Sequence, residues 1–142
     1  IIVSEDKLDP WRALSEYEEH RKGNGKAGAT ASFVGTMRDF NEGDKVSEMF
    51  LEYHPSMTTS FLESMLQDGI EKYGLLDGLI IHRVGTIKPG EPIVLVACWS
   101  AHRAAAFDAC RELMETLKSR APFWKKEILE EGFRWVEKNT PG

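Results

Sequence analysis

Residues 79–99 read LIIHRVGTIKPGEPIVLVACW, and the reading of this stretch decides the fold. Leu79 to Val84 and Ile93 to Trp99 are apolar runs rich in β-branched residues, of strand length. Between them, Lys88-Pro89-Gly90-Glu91 places proline and glycine at the two central positions of a type II turn. The pattern predicts a hairpin with a long tip.

Working toward the C-terminus, Ser100 can cap the longest helix, expected from Ala101 to about Arg120, with Ala106, Cys110, Leu113, Met114 and Leu117 along one face. Pro122 ends it, because a residue before proline resists the α region. A short helix from Phe123 to Leu129 and a strand from Phe133 to Val136 are expected to follow. Working toward the N-terminus, Pro55 opens a helix carrying Met57, Phe61, Leu62, Met65, Leu66 and Ile70, with Gly74 as its stop. Val46 to Tyr53 and Ala29 to Val34 read as strands. The polar segment Arg38 to Asp44 between them reads as a loop with no packing reason for order. Lys22 to Gly28 reads as a flexible turn. Asp9-Pro10-Trp11 marks an N-cap and a first helical proline, opening a short helix that ends near Gly23. Helices and strands mix without strict alternation, so the expected class is α+β with a mostly antiparallel sheet.

The 142 residues fit one domain spanning 1–142. Hydrophobic residues make up 42% and charged residues 29%, a balance that excludes a disordered chain. No apolar run approaches the ~20 residues of a transmembrane helix, and the opening segment turns acidic at Glu5, unlike a signal peptide. A cytoplasmic protein is expected. The net charge of −5 disfavours a nucleic-acid partner. Cys98 and Cys110 are too few for a disulfide framework and read as buried hydrophobes. His20, His54, His82 and His102 show no metal-ligand spacing, so no metal is expected.

Against this acidic background, Lys118-Ser119-Arg120-Ala121-Pro122-Phe123-Trp124-Lys125-Lys126 holds four cations and no acid. Such crowding is relieved by water or by a bound anion. A solvated helix end accounts for Lys118 and Arg120, whose charges suit the dipole there. Lys125 and Lys126, read as the start of the next helix, have no such reason. Ser100-Ala101-His102-Arg103 is a second candidate, since the first helical turn offers free N–H groups to an anion and arginine can grip phosphate with two donors. Gly35-Thr36-Met37-Arg38 is a third, a strand end where glycine allows close approach and Arg38 supplies donors. Arg103 and Lys118 lie fifteen residues apart on one helix, hence ~22 Å along its axis. They cannot meet on one small ligand within a single chain. They serve different sites, or the pocket is shared across a twofold dimer.

Val34-Gly35-Thr36-Met37-Arg38, Glu52-Tyr53-His54-Pro55-Ser56-Met57-Thr58, His82-Arg83-Val84-Gly85 and Ser100-Ala101-His102-Arg103 resemble successive blocks of the molybdopterin synthase large-subunit family, MoaE. So do Leu117-Lys118-Ser119-Arg120-Ala121-Pro122-Phe123-Trp124-Lys125-Lys126-Glu127 and Arg134-Trp135-Val136-Glu137. The resemblance implies an α/β hammerhead fold, a homodimer, and a heterotetramer with two copies of a small ubiquitin-like sulfur-carrier subunit. The carrier's C-terminal Gly-Gly tail, as a thiocarboxylate, would deliver sulfur to cyclic pyranopterin monophosphate and build the dithiolene of molybdopterin. Carried over by motif, the catalytic lysines fall on Lys118 and Lys125. Substrate contacts fall on Thr36, Met37, Arg38, His102, Arg103, Lys126 and Glu127. The carrier brings the sulfur, so neither a resident cofactor nor either cysteine is called for.

Residue chemistry suits these roles. A lysine among apolar neighbours and other cations loses affinity for its proton and becomes an acid–base group. Lys118, beside Met114 and Leu117 and near Arg120, Lys125 and Lys126, is the expected group nearest the incoming tail, with Lys125 second. Phe123 and Trp124 are expected to pack. Two other readings stand: a non-catalytic module holding an anion or a partner's carboxylate, and a nucleotide hydrolase that would gather magnesium on Asp39, Glu42 and Asp44.

Overall fold

The computed structural model describes residues 1–21 and 25–136; Glu137 and the first three residues of the expected Lys22 to Gly28 turn, Gly23 among them, lie outside the described residues. The hairpin forms as expected. β5 (Asp77–Arg83) and β7 (Pro92–Ser100) run antiparallel with Ile80 opposite Val96 and Ile81 opposite Leu95. At the turn, Glu91 N–H donates to the Lys88 carbonyl at 3.0 Å. The tip is long because Gly85, at φ 81°, bends the chain out of this sheet. A side chain there would sit in the left-handed region that glycine tolerates. β6 (Gly85–Ile87) then joins a second sheet.

The first sheet has the order β1-β5-β7-β2, with β1 at Ile2–Ser4 and β2 at Ala29–Thr36. Only β1 pairs in parallel, with β5; β2 and β5 both pair antiparallel to β7. The second has the order β3-β4-β8-β9, made of β3 (Phe40–Asn41), β4 (Asp44–Tyr53), β8 (Phe123–Leu129) and β9 (Phe133–Val136), with β6 also on β4. All its pairings are antiparallel.

Both faces of the hairpin are covered, which is why its strands are apolar without alternation. On one face, Ile80, Val94, Val96 and Cys98 pack against α2 (Pro55–Tyr73) and α3 (Arg103–Arg120). The buried stripe of α3 is Ala106, Ala109, Cys110, Leu113, Met114 and Leu117. Each buried leucine there contributes roughly 2 kcal/mol. On the other face, Leu79, Ile81, Leu95, Ala97 and Trp99 pack against Leu8 and α1 (Pro10–His20). Both cysteines are buried and free. None of the described helices is long and apolar enough to cross a membrane.

The caps follow the sequence in part. Asp9 Oδ1 accepts from Arg12 N–H at 3.2 Å, and Pro10 opens α1, which ends at His20, earlier than expected. Gly74 closes α2. Its N-cap is His54, whose Nδ1 accepts from Met57 N–H at 3.1 Å. Ser100 does not cap α3: it is the last residue of β7, and His102 takes the N-cap position.

Two expectations are overturned. Residues 123–129 form a strand, not a helix, because β4 and β9 offer backbone partners on both sides. Lys125 and Lys126 therefore do not start a helix, and the dipole argument about them falls. The segment 38–44 is a tight hairpin rather than a loop without order: Phe40 pairs with Lys45 and Asn41 with Asp44. Arg134, from the distant β9, fastens it.

Candidate active site

A cavity of about 290 Å³ opens where the two sheets meet the C-terminal end of α3. Every side of it comes from a different element. Gly35 and Thr36 end β2, Ile93 and Val94 begin β7, and His82 lies near the end of β5. Met49 and Leu51 come from β4, Phe123 and Lys125 from β8, and Lys118 from the last turn of α3. Gly35 has a packing reason to lack a side chain, since a Cβ there would come within 2.9 Å of Val94 Cγ1.

Lys125 is half-buried on the inner face of β8, and its pKa is lowered. Burial is the largest cause; the charges of Lys118 and Arg38 push the same way, while Glu127 and Glu42 oppose. The amine is thereby eased toward its neutral, proton-accepting form. Lys118 is exposed at the cavity mouth.

Strand geometry sends neighbouring residues to opposite faces. Lys125 faces the cavity with Phe123, whereas Lys126 emerges on the outer face. There its ammonium lies 4.9 Å from the Phe133 ring centroid, 5.7 Å from that of Trp135 and 5.9 Å from that of Phe50. Glu127, 4% exposed, returns to the inner side. It accepts from Arg134 Nε and from Asn41 Nδ2, both at 2.9 Å. Arg134 also donates to Asp44 Oδ2 at 2.8 Å and to the Asn41 carbonyl at 2.9 Å. The carboxylate thus ties β8 to β9 and to the β3–β4 hairpin.

The structure therefore brings Thr36, Lys118 and Lys125 to one cavity, with Arg38 close enough for its charge to reach Lys125. Met37 points elsewhere: its side chain is buried in a second core with Val46, Met49, Leu51, Val84 and Ile87. Its backbone holds the β6–β7 turn, donating to Glu91 O at 3.0 Å and accepting from Gly90 N–H at 2.8 Å. Lys126 faces away, and Glu127 is engaged by Arg134 and Asn41. His102 and Arg103 are exposed at the opposite end of α3 from Lys118 and do not line the cavity. The sequence reading gave no role to His82, which lines the cavity although it is 5% exposed. A signal existed: an imidazole directly after the apolar Leu79, Ile80 and Ile81 needs a partner for its nitrogens.

Two sheets meeting over a lysine-walled cavity define an α+β protein suited to acid–base work on an anionic ligand. Residues 3–120 match the family model described as MoaE protein, and the chain belongs to that family. A Pseudomonas aeruginosa protein named molybdopterin synthase catalytic subunit is 48% identical over 137 residues, covering 96% of this chain and 89% of that one. A crystal structure of molybdopterin synthase from Staphylococcus aureus superposes with a TM-score of 0.83 at 29% identity, covering 95% of each chain. A complex of subunits 1 and 2 of molybdopterin-converting factor from Helicobacter pylori shares the fold, with a TM-score of 0.80 at 18% identity over 98% of this chain and 91% of that one.

Proposed function

We propose that this chain works as the catalytic subunit of a molybdopterin synthase, in the cytoplasm, and that its cavity transfers sulfur. A role in molybdenum cofactor biosynthesis goes with membership of the family. The donor is the C-terminal thiocarboxylate of a small ubiquitin-like carrier, and the acceptor is cyclic pyranopterin monophosphate. One observation carries the reading: Lys118 and Lys125 line the same cavity, and burial there lowers the Lys125 pKa. The two-subunit complex of the Helicobacter pylori neighbour supports a small partner.

The chemistry follows from what each group can do. The thiocarboxylate sulfur attacks a carbon of the pterin, a carbon–sulfur bond forms and a carbon–oxygen bond breaks; water then cleaves the acyl–sulfur bond, which leaves the sulfur on the pterin and releases the carrier as a carboxylate. A neutral lysine takes up the proton that this displaces, and a charged one steadies the leaving oxygen. Two transfers give the dithiolene. In this reading Lys118, at the cavity mouth, meets the incoming tail, and Lys125 acts from the wall. The phosphate needs donors, which Arg38 supplies from this chain. His102 and Arg103 of a second subunit would supply the rest across a homodimer, giving a heterotetramer with two carriers. The hydrolase alternative loses support, since Arg134 already binds Asp44 at 2.8 Å and approaches Glu42 at 3.8 Å.

Reconstitution tests the proposal, with the thiocarboxylated carrier, the pterin precursor and either wild type or Lys118→Ala. Dithiolene formed by wild type and lost in Lys118→Ala, with carrier binding kept, is the expected result. Wild type that binds both partners and makes no product would reduce the cavity to a docking site.

A further inference from the structure

His82 ends its apolar strand run as a buried polar ring in the cavity wall, between the lysine-bearing elements. Its ring stacks on Phe123, with centroids 4.1 Å apart and planes 21° from parallel. Nδ1 lies 2.8 Å from the Arg83 carbonyl oxygen. A carbonyl oxygen only accepts, so Nδ1 carries the proton and Nε2 keeps a bare lone pair. Burial, with the Lys118 charge adding to it against the backbone hydrogen bond, lowers the pKa to about 4, so the ring is neutral at pH 7. A phenyl ring would fill the same space against Phe123 without the desolvation cost of a polar heterocycle.

We propose that His82 is a ligand-positioning residue whose Nε2 accepts a hydrogen bond from an N–H or O–H group of the molecule bound in the cavity. The identity of that molecule, a pterin, rests on the sulfur-transfer reading; the acceptor role rests on the geometry. The two sides of the recognition problem differ. Lys118 and Arg38 are donors, so they grip phosphate and oxyanions. The amide and amino edge of a pterin presents donors of its own, which cations repel. Hydroxyls such as Thr36 and Ser119 rotate to donate or accept and discriminate poorly. An imidazole locked in one tautomer accepts at Nε2 and nothing else, so it selects a donor edge.

The test uses ¹⁵N-labelled protein and the imidazole nitrogen signals of His82. Nε2 is expected to resonate as an unprotonated nitrogen, to shift when the pterin monophosphate is added, and to stay put with inorganic phosphate. In the reconstituted reaction, His82→Asn keeps an N–H for the Arg83 carbonyl and removes the acceptor. It should raise KM for the pterin about tenfold, the worth of one neutral hydrogen bond, with kcat within about twofold. His82→Gln places an amide oxygen near the Nε2 position and should recover most of the loss. A protonated Nε2, a signal unmoved by saturating pterin, or His82→Asn with wild-type KM would overturn the proposal. Where His82→Asn does not fold, the wild-type spectra decide. A pterin-induced Nε2 shift without product would sink sulfur transfer and keep His82; product without any shift would do the reverse.

Discussion

A histidine that stays neutral because it is buried leaves a mark on acid stability. His82 takes up a proton in the unfolded chain near pH 6.5 and resists it in the folded chain until about pH 4. Between those values the unfolded state binds more protons, so stability falls as the pH drops and the loss is complete below about 4. The gap corresponds to roughly 3 kcal/mol. Urea unfolding of wild type and His82→Asn at pH 7 and pH 4 checks this: the variant should lose markedly less stability on acidification, and equal losses would mean that His82 is not held neutral. Lys125 works in the opposite range. Its lowered pKa places a penalty on the folded state that is full at low pH and is relieved as the pH rises toward the ordinary lysine value. What could be read of these residues from sequence was uneven. Lys118, Lys125 and Thr36 were chosen by motif, and the structure sets them around one cavity. The task of His82 depends on which backbone carbonyl its ring meets, and no spacing rule encodes that.

Among the elements, β8 was the hardest to read. Phe123, Lys125, Glu127 and Leu129 alternate with Trp124, Lys126 and Ile128, so aromatic, charged and aliphatic groups occur on both faces. Neither a two-residue nor a 3.6-residue period stands out from such a mixture. The strand exists because β4 and β9 sit on either side of it, and β4 is some seventy residues away. β5, β7, α2 and α3 were legible because each buries a continuous stripe or run of apolar residues. The β3–β4 hairpin is illegible in the sequence for the same reason as β8: its order comes from Arg134. Glu127 is the joint of that arrangement. Glu127→Ala should cost about 2–3 kcal/mol in urea unfolding, less than the ~3–5 kcal/mol of a fully buried pair, because Arg134 remains 25% exposed. A loss under 0.5 kcal/mol would show that the hairpin is held by other contacts.

At the scale of the whole molecule, the length of α3 sets the problem. It runs unbroken from Arg103 to Arg120, so Arg103 and Lys118 cannot share a small ligand within one chain. A twofold dimer with shared pockets predicts complementation between defective subunits. Mixed Lys118→Ala and Arg103→Ala subunits, each inactive alone, should recover about a quarter of wild-type turnover: half of the randomly paired dimers are hybrids, and each hybrid has one intact pocket. Turnover that never exceeds the sum of the two variants would place both residues in one chain's site or in unrelated ones.

The opposite facing of Lys125 and Lys126 carries a consequence for how this chain can change over time. Between the end of α3 and these lysines, chain length counts as odd or even. One residue lost or gained there would turn the strand over, bringing a different lysine to the cavity and sending its neighbour out among the rings of Phe133 and Trp135. Two residues would restore the facing and move the amine by one full pleat, about 7 Å along the strand. The two adjacent lysines look interchangeable in the sequence, but the parity of the linker tells them apart.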